Sequence, residues 1–389
     1  MHLQSKLPSV GTTIFTVMSK MAQDHQAINL GQGFPDFNTD PKLINLVNEA
    51  MLKGYNQYPY MPGVEPLRQA IAHKVSALYQ HHYNPETEIT VTSGATEALM
   101  AAILSSVHSG EEVIVIDPSY DSYVPAIQLA GGVPIRVNMS APKDPTETFT
   151  IDWDQIESAI SSKTRLIILN SPHNPTGAVL TESDLDRLEA LVNGTDILIV
   201  SDEVYEHIVF SPLKHISLAS RPALADRCFV ISSFGKTTHT TGWKIGYCCA
   251  PVEMTKEFRK VHQFLVFTVP SPFQYALAEY TSDAATYLNL SSFYEAKRDR
   301  LAQGLAKSRF KPFSCPGTFF MLADYSEISD MDEANFTIWL TKTHGVTVIP
   351  VSAFYSNPSD PSSNHQLVRF CFAKTDEMLD MAIDKLINI

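Results

Sequence analysis

Between residues 88 and 250 the chain alternates short apolar runs with stretches of helical period, and this alternation limits the fold more than any other feature. The runs are EITVT (88–92), VIVID (113–117), RLIILN (165–170), ILIVSD (197–202), CFVISS (228–233) and KIGYCCA (244–250). They are apolar at odd and even positions alike, so neither face is left for water, as expected when helices cover both sides of a mostly parallel sheet. The stretch at 95–107 reads as one such helix, with Ala95, Ala98, Leu99, Ala102 and Ile103 on one side. The pattern predicts an α/β fold whose large domain holds a mostly parallel seven-stranded sheet with helices on both faces.

After about residue 280 the texture changes. A charged helical stretch (294–307) precedes FFMLADY, a helix near 333–343, TVIPVS, LVRFCFA and a terminal helix, which together read as a smaller α+β domain. The first 40 residues are punctuated by Pro and Gly and are too short for a core of their own, so they are expected to pack on another unit. The resulting division is 42–280 for the large domain, and 1–41 with 281–389 for the small one. The polar run SNPSDPSSNH (356–365) reads as a loop, and no internal repeat is present.

Composition excludes several functions. With 389 residues, 44% hydrophobic and 18% charged, the chain is long and apolar enough for a folded, water-soluble protein. Lys and Arg number 29 against 42 Asp and Glu, a net charge of −13, and that field opposes binding to nucleic acid or anionic lipid. No apolar run is long enough to span a membrane, and MHLQSKLPSVGTTIF lacks the apolar core of a secretion signal. Cys228, Cys248, Cys249, Cys315 and Cys371 are scattered, with no CxxC spacing, and read as buried reduced thiols of a cytoplasmic protein. The 13 histidines show no metal-ligand spacing, so no metal is expected.

Chemistry-bearing residues cluster where strands end, and open α/β sheets place ligands outside the carboxyl ends of their strands. In SSFGKTTHTTGWKIGY (232–247), Lys236 follows a strand that ends at Ser233. Gly235-Lys236-Thr237 is not a phosphate loop, because that motif needs glycine at 230, which is Val230. NSPHNPTG (170–177) sets Asn174 in an Asn-Pro turn, and SDEVYEH (201–207) sets Asp202 and Tyr205 at a strand end. TSGATEALMA (92–101) is a strand, a glycine turn and a helix start, which frees backbone N–H groups for an anion. Each has an ordinary reading alone: surface lysine, turn, helix cap, plain helix start.

Their joint order along the chain resembles the pyridoxal-phosphate-dependent, fold-type-I class I aminotransferases, from about Leu30 to the C-terminal helix. GQGFPDF (31–37), the Lys236 segment and IPVSAFYS are most similar to the methionine and kynurenine, or glutamine transaminase-like, subgroup. The resemblance implies that Lys236 holds the cofactor as an imine and then shuttles the substrate's α-proton. It pairs Asp202 with the pyridine nitrogen, and Tyr205 and Asn174 with the ring's phenolic oxygen. Ala95, Thr96, Ser233 and Lys244 match the phosphate cradle, where many members carry arginine at position 244. Tyr120 matches the aromatic stacked on the ring, and Tyr58 a tyrosine that reaches the phosphate of the neighbouring subunit, so a homodimer with shared sites is implied.

On the substrate side, Arg369 matches the arginine that forks onto the α-carboxylate, with Gly33 and Asn174 beside it. Arginine between Val368 and Phe370 in an apolar strand suits this role, since a buried guanidinium needs an anion. Phe34, Phe267 and Phe354 resemble pocket positions, and no second arginine stands where dicarboxylate-specialised members show one. The implied activity is a pyridoxal phosphate ping-pong transfer from a large neutral amino acid (methionine, aromatic or kynurenine-like) to a 2-oxo acid. Two rivals are a carbon–sulfur β-lyase on the same fold and a catalytically idle binding module.

Overall fold

A computed structural model describes residues 3–389, and the strands among them form three sheets. In chain order, β1 (Ile28–Asn29) comes first. Then β2 (Ile89–Thr92), β3 (Glu112–Asp117), β4 (Val133–Asn138), β5 (Thr164–Asn170), β6 (Leu198–Asp202), β7 (Cys228–Ser233) and β8 (Gly246–Cys249) build the seven-stranded sheet. Its order is β2-β8-β7-β6-β5-β3-β4, parallel throughout except that β8 runs against both β2 and β7. The α/β architecture expected from the sequence is the one observed.

Alternation along each strand divides the core into two layers. Val113 and Val115 of β3, with Leu166 and Ile168 of β5, pack under the helix Gly94–Ser106 through Ala98, Leu99, Ala102 and Ile103. Ile114, Ile116, Ile167 and Leu169 point the other way, into a second cluster with Leu185, Leu188 and Ile199. Successive residues alternate faces in a strand, so runs apolar at every position fill both layers.

The strand β4 has no counterpart among the six apolar runs. It lies at the sheet edge, begins with exposed Val133, and carries Pro134 and Arg136. Edge strands tolerate proline and polar residues because one side of the ladder is unpaired. Arg136 clamps the neighbouring β3 from there, its Nε and Nη2 donating to the two oxygens of Asp117 at 2.6 Å each.

The remaining strands are β9 (Lys311–Pro312), β10 (Phe320–Asp324), β11 (Val346–Thr347), β12 (Ile349–Pro350) and β13 (Leu367–Cys371). A four-stranded antiparallel sheet runs β12-β13-β10-β9, while β1 pairs in parallel with β11. The helices Leu290–Leu305 and Asp376–Leu386 cover this sheet. Its apolar core also takes in Ile28 and Leu30 from the N-terminal segment and Tyr205, Ile208 and Phe210 from the loop after β6. Tyr205 therefore follows a strand of the seven-stranded sheet but packs with the other sheet.

Candidate active site

Strands β5, β6 and β7 end side by side, and their last residues converge on one cleft. Register sets Asn170 opposite Asp202. The Asn170 Nδ2 donates to the Asp202 carbonyl at 2.8 Å, and its Oδ1 accepts from the backbone N–H of Asn174 at 2.8 Å. The Asp202 carboxylate accepts from Tyr123 Oη at 2.7 Å and from the Val204 N–H at 3.3 Å. Burial pushes this carboxyl up to about 6, against the pull of those two donors. A cation docked on Asp202 would relieve the cost of burying its charge.

Lys236 stands one helical turn past β7, capped by Ser233, whose Oγ accepts from the Gly235 N–H at 3.1 Å. Its Nζ donates to the Gly33 carbonyl at 2.7 Å and lies 5.7 Å from the centre of the Tyr205 ring. Burial lowers the Lys236 amine to about 8; the cations Arg369 and Lys244 act in the same direction, while Asp202 opposes them. An amine so placed reaches its neutral, nucleophilic form near neutral pH.

Arg369 enters from β13, whose Val368 and Phe370 face the small sheet's core while the guanidinium turns to the cleft. It is 1% exposed. Nη1 donates to Asn174 Oδ1 at 2.6 Å and Nη2 to the Gly31 carbonyl at 3.1 Å, while Nε is buried without a partner. The rings of Phe320, Phe354 and Phe15 surround it at 3.8, 5.0 and 5.3 Å. Burial lowers its pKa to about 10, still leaving a cation at neutral pH. A buried cation with an unused N–H is a receptor for a carboxylate.

The helix Gly94–Ser106 opens at the same cleft. Its N-cap residue Ser93 makes no side-chain capping bond, which leaves the first-turn amides free for an anion. Gly94 has φ of +69°, and a Cβ there would stand 3.1 Å from Lys244 Nζ, so glycine lets the ammonium approach the helix start. Behind this wall lies a buried polar group centred on Glu206. It accepts from Lys74 Nζ at 2.6 Å, Tyr79 Oη at 2.6 Å and Ser232 Oγ at 2.5 Å. Burial alone would raise that carboxyl, but Lys74 and His207 hold it far below the usual range.

The cleft encloses about 250 Å³. Of the residues expected from the sequence, Gly33, Phe34, Ala95, Thr96, Tyr120, Asn174, Asp202, Tyr205, Ser233, Lys236, Lys244 and Arg369 line it. Three do not. Phe354 is buried one layer back, against Arg369 and Phe15 (5.8 Å between ring centres), so it shapes the guanidinium's surroundings. Tyr58 and Phe267, 82% and 41% exposed, lie edge to face at 5.4 Å on the outer surface, away from the cleft of their own chain.

The cleft also uses residues that sequence reasoning passed over: Phe15, Gln32, Asn170 and Phe320 in its lining, and Tyr123 behind Asp202. Asn170 carried a usable signal, since it ends a strand as Asp202 does. Among the described residues no group of three or more His, Cys, Asp or Glu is arranged to hold a metal ion, and no helix is long and apolar enough to cross a membrane.

Comparison with known proteins accords with this arrangement. A methionine aminotransferase of Escherichia coli (strain K12) is 48% identical over 98% of this chain and 97% of its own length. Kynurenine–oxoglutarate transaminase 3 of Rattus norvegicus is 38% identical over 97% of this chain and 88% of its own. The solved N-succinyldiaminopimelate aminotransferase of Mycobacterium tuberculosis superposes with a TM-score of 0.94 at 41% identity, covering 100% of both chains. The family model for aminotransferase class I and II matches residues 25–386, a span that holds all three sheets and the whole cleft lining except Phe15, so the chain belongs to that family.

Proposed function

We propose that the protein transfers the amino group of a large neutral amino acid, methionine or an aromatic one, to a 2-oxo acid with the help of pyridoxal phosphate. The observation that carries this reading is the pairing in one cleft of the half-buried Lys236 with Arg369, whose buried Nε has no partner. The cleft fits the cofactor's chemistry: uncapped amides at 94–96 with Lys244 and Ser233 suit a phosphate, and buried Asp202 suits a ring cation. When bound, the group acts as an electron sink for the α-carbon of an amino acid.

Each residue then has a definite task. Asp202, steadied by Tyr123, would hold the proton on the ring nitrogen, and Tyr120 would pack against the ring. Tyr205 and Asn174 would hydrogen-bond the ring's phenolic oxygen. Lys236 would be the attachment point, and its Nζ, once displaced by the substrate's amine, would take the proton from the substrate's α-carbon. Arg369 forks onto the α-carboxylate with Asn174 and Gly33 beside it, and Phe15, Phe34 and Phe320 give the side-chain end an apolar lining. That lining, together with the names of the 48% and 38% identical relatives, favours methionine, aromatic and kynurenine-like donors.

The two-part division at 42–280, and 1–41 with 281–389, belongs to the same proposal; all strands of the large sheet fall in the first part and all strands of the small sheets in the second. So does a homodimer. Tyr58 and Phe267 sit among exposed Tyr60, Phe264 and Val266, an apolar patch that a second copy would bury, carrying both residues to the partner's cleft. Five buried, unpaired cysteines agree with a reducing cytoplasm.

The test is the visible spectrum and one assay. The purified protein should show a yellow absorption band that Lys236→Ala abolishes, and a chain that takes up no pyridoxal phosphate would sink the proposal. With methionine and a 2-oxo acid it should release the amino acid of the acceptor. Pyruvate and ammonia from a cysteine conjugate, without an acceptor, would identify a β-lyase instead.

A further inference from the structure

Asn29 ends β1 with its side chain turned onto the residues that follow it. Its Oδ1 accepts from the N–H of Gly31 at 3.0 Å and from that of Gln32 at 3.1 Å. The residue between is pinned on both sides: Leu30 N–H donates to the Thr347 carbonyl at 2.9 Å, and the Leu30 carbonyl accepts from Cys371 N–H at 2.7 Å. With the strand fixed, one oxygen atom satisfies both amides and folds residues 29–32 into a tight turn.

That turn and the residue after it face two cations. The Gly31 carbonyl accepts from Arg369 Nη2 at 3.1 Å, and the Gly33 carbonyl accepts from Lys236 Nζ at 2.7 Å. There is little room for adjustment. A Cβ on Gly31 would lie 3.1 Å from Ile349, and one on Gly33 would lie 2.7 Å from Phe320. Lys236 and Arg369 repel each other within a buried space, and each needs a neutral acceptor to stay where it is.

We propose that Asn29 is a positioning residue for amino transfer: its amide oxygen sets the turn at 29–32, and through it the Gly31 carbonyl that holds Arg369 and the Gly33 carbonyl just beyond that holds Lys236. Asn29 is absent from the cleft lining and acts only through residues 31–33. The inference rests on the roles proposed for Lys236 and Arg369, so its first readout needs no cofactor.

That readout is competitive acetylation of the cofactor-free chain by acetic anhydride. Labelling of Lys236 is followed by peptide mass spectrometry against exposed Lys20 as internal standard. The second is inhibition of the holoenzyme by 3-phenylpropionate, a carboxylate without an amine to transfer. Asn29→Ala should label at Lys236 about fivefold faster and bind the inhibitor about tenfold more weakly. Asn29→Asp keeps an acceptor oxygen and should restore both values to near wild type. If Asn29→Ala does not fold, Asn29→Ser, whose short hydroxyl reaches one amide at most, should shift both readouts in the same sense.

The proposal is overturned if neither readout moves, if only one does, or if Asn29→Asp behaves like Asn29→Ala, since joint control through an acceptor is the claim. If instead the roles of Lys236 and Arg369 are wrong, the yellow band fails while the labelling contrast between Ala and Asp persists.

Discussion

Asp202 without a cation against it is an acid buried at a cost, and pH can reveal this. Its carboxyl titrates near 6 in the folded chain, against an ordinary aspartate value near 3.8, because burial disfavours the charge. The folded state therefore binds this proton more tightly than the unfolded state does. The resulting stability is complete below about pH 4 and is lost as pH rises through about 6. Two units correspond to at most about 3 kcal/mol. The cofactor-free Asp202→Asn chain should lack this term, so the melting temperature of the cofactor-free parent should fall relative to it between those two pH values. Parallel melting curves would refute the assignment.

The same residue shows what a sequence discloses. Asp202, Asn174, Lys236 and Arg369 have ordinary readings one by one; they stood out by their joint order along the chain and the family resemblance it carries, and the structure brings all four to one cleft. Tyr123, Phe15 and Phe320 were not legible, because an aromatic residue in apolar surroundings reads as core. Tyr123 does pack in a core cluster while its hydroxyl meets Asp202, and sequence cannot separate those two ends of one ring.

At the scale of elements, the start of the helix Gly94–Ser106 carries a sharp requirement. Gly94→Ala would force a Cβ into a left-handed conformation, at about 1–2 kcal/mol, and would push Lys244 Nζ from the helix start. We expect a lower melting temperature and pyridoxal phosphate binding weakened by about tenfold, read by titrating the cofactor-free chain. Unchanged affinity would remove Lys244 from the phosphate site. The helix itself was readable from its apolar face, as were the central strands from their continuous apolar runs. The edge strand β4 was not, because Pro134 and Arg136 interrupt the pattern that burial on both faces creates.

At the scale of the whole molecule, the exposed pair Tyr58 and Phe267 gives the proposed dimer a decisive experiment. If Tyr58 serves the partner's cleft, a Lys236→Ala chain and a Tyr58→Ala chain are each defective alone. In a mixed dimer both lesions fall in one cleft and the other is intact. Unfolding and refolding the two together should restore about a quarter of wild-type activity, since random pairing makes half the dimers mixed and each has one good cleft. No recovery would mean that Tyr58 acts in its own chain or not at all. Only the family resemblance suggested a place for these two residues; their spacing and composition could not, because neither lines the cleft of its own chain.

The pairing of β1 with β11 joins residues 28–29 to residues 346–347, and Leu30 is held by Cys371 beyond them. A ribosome delivers these partners more than three hundred residues apart. The last strand of the seven-stranded sheet ends at residue 249, whereas the N-terminal turn has nothing to lie on until β11 and β13 emerge. Lys236 and Arg369 thus gain their acceptors, the Gly33 and Gly31 carbonyls, among the final steps of synthesis, so a chain that stops before β11 would lack the turn that presents them.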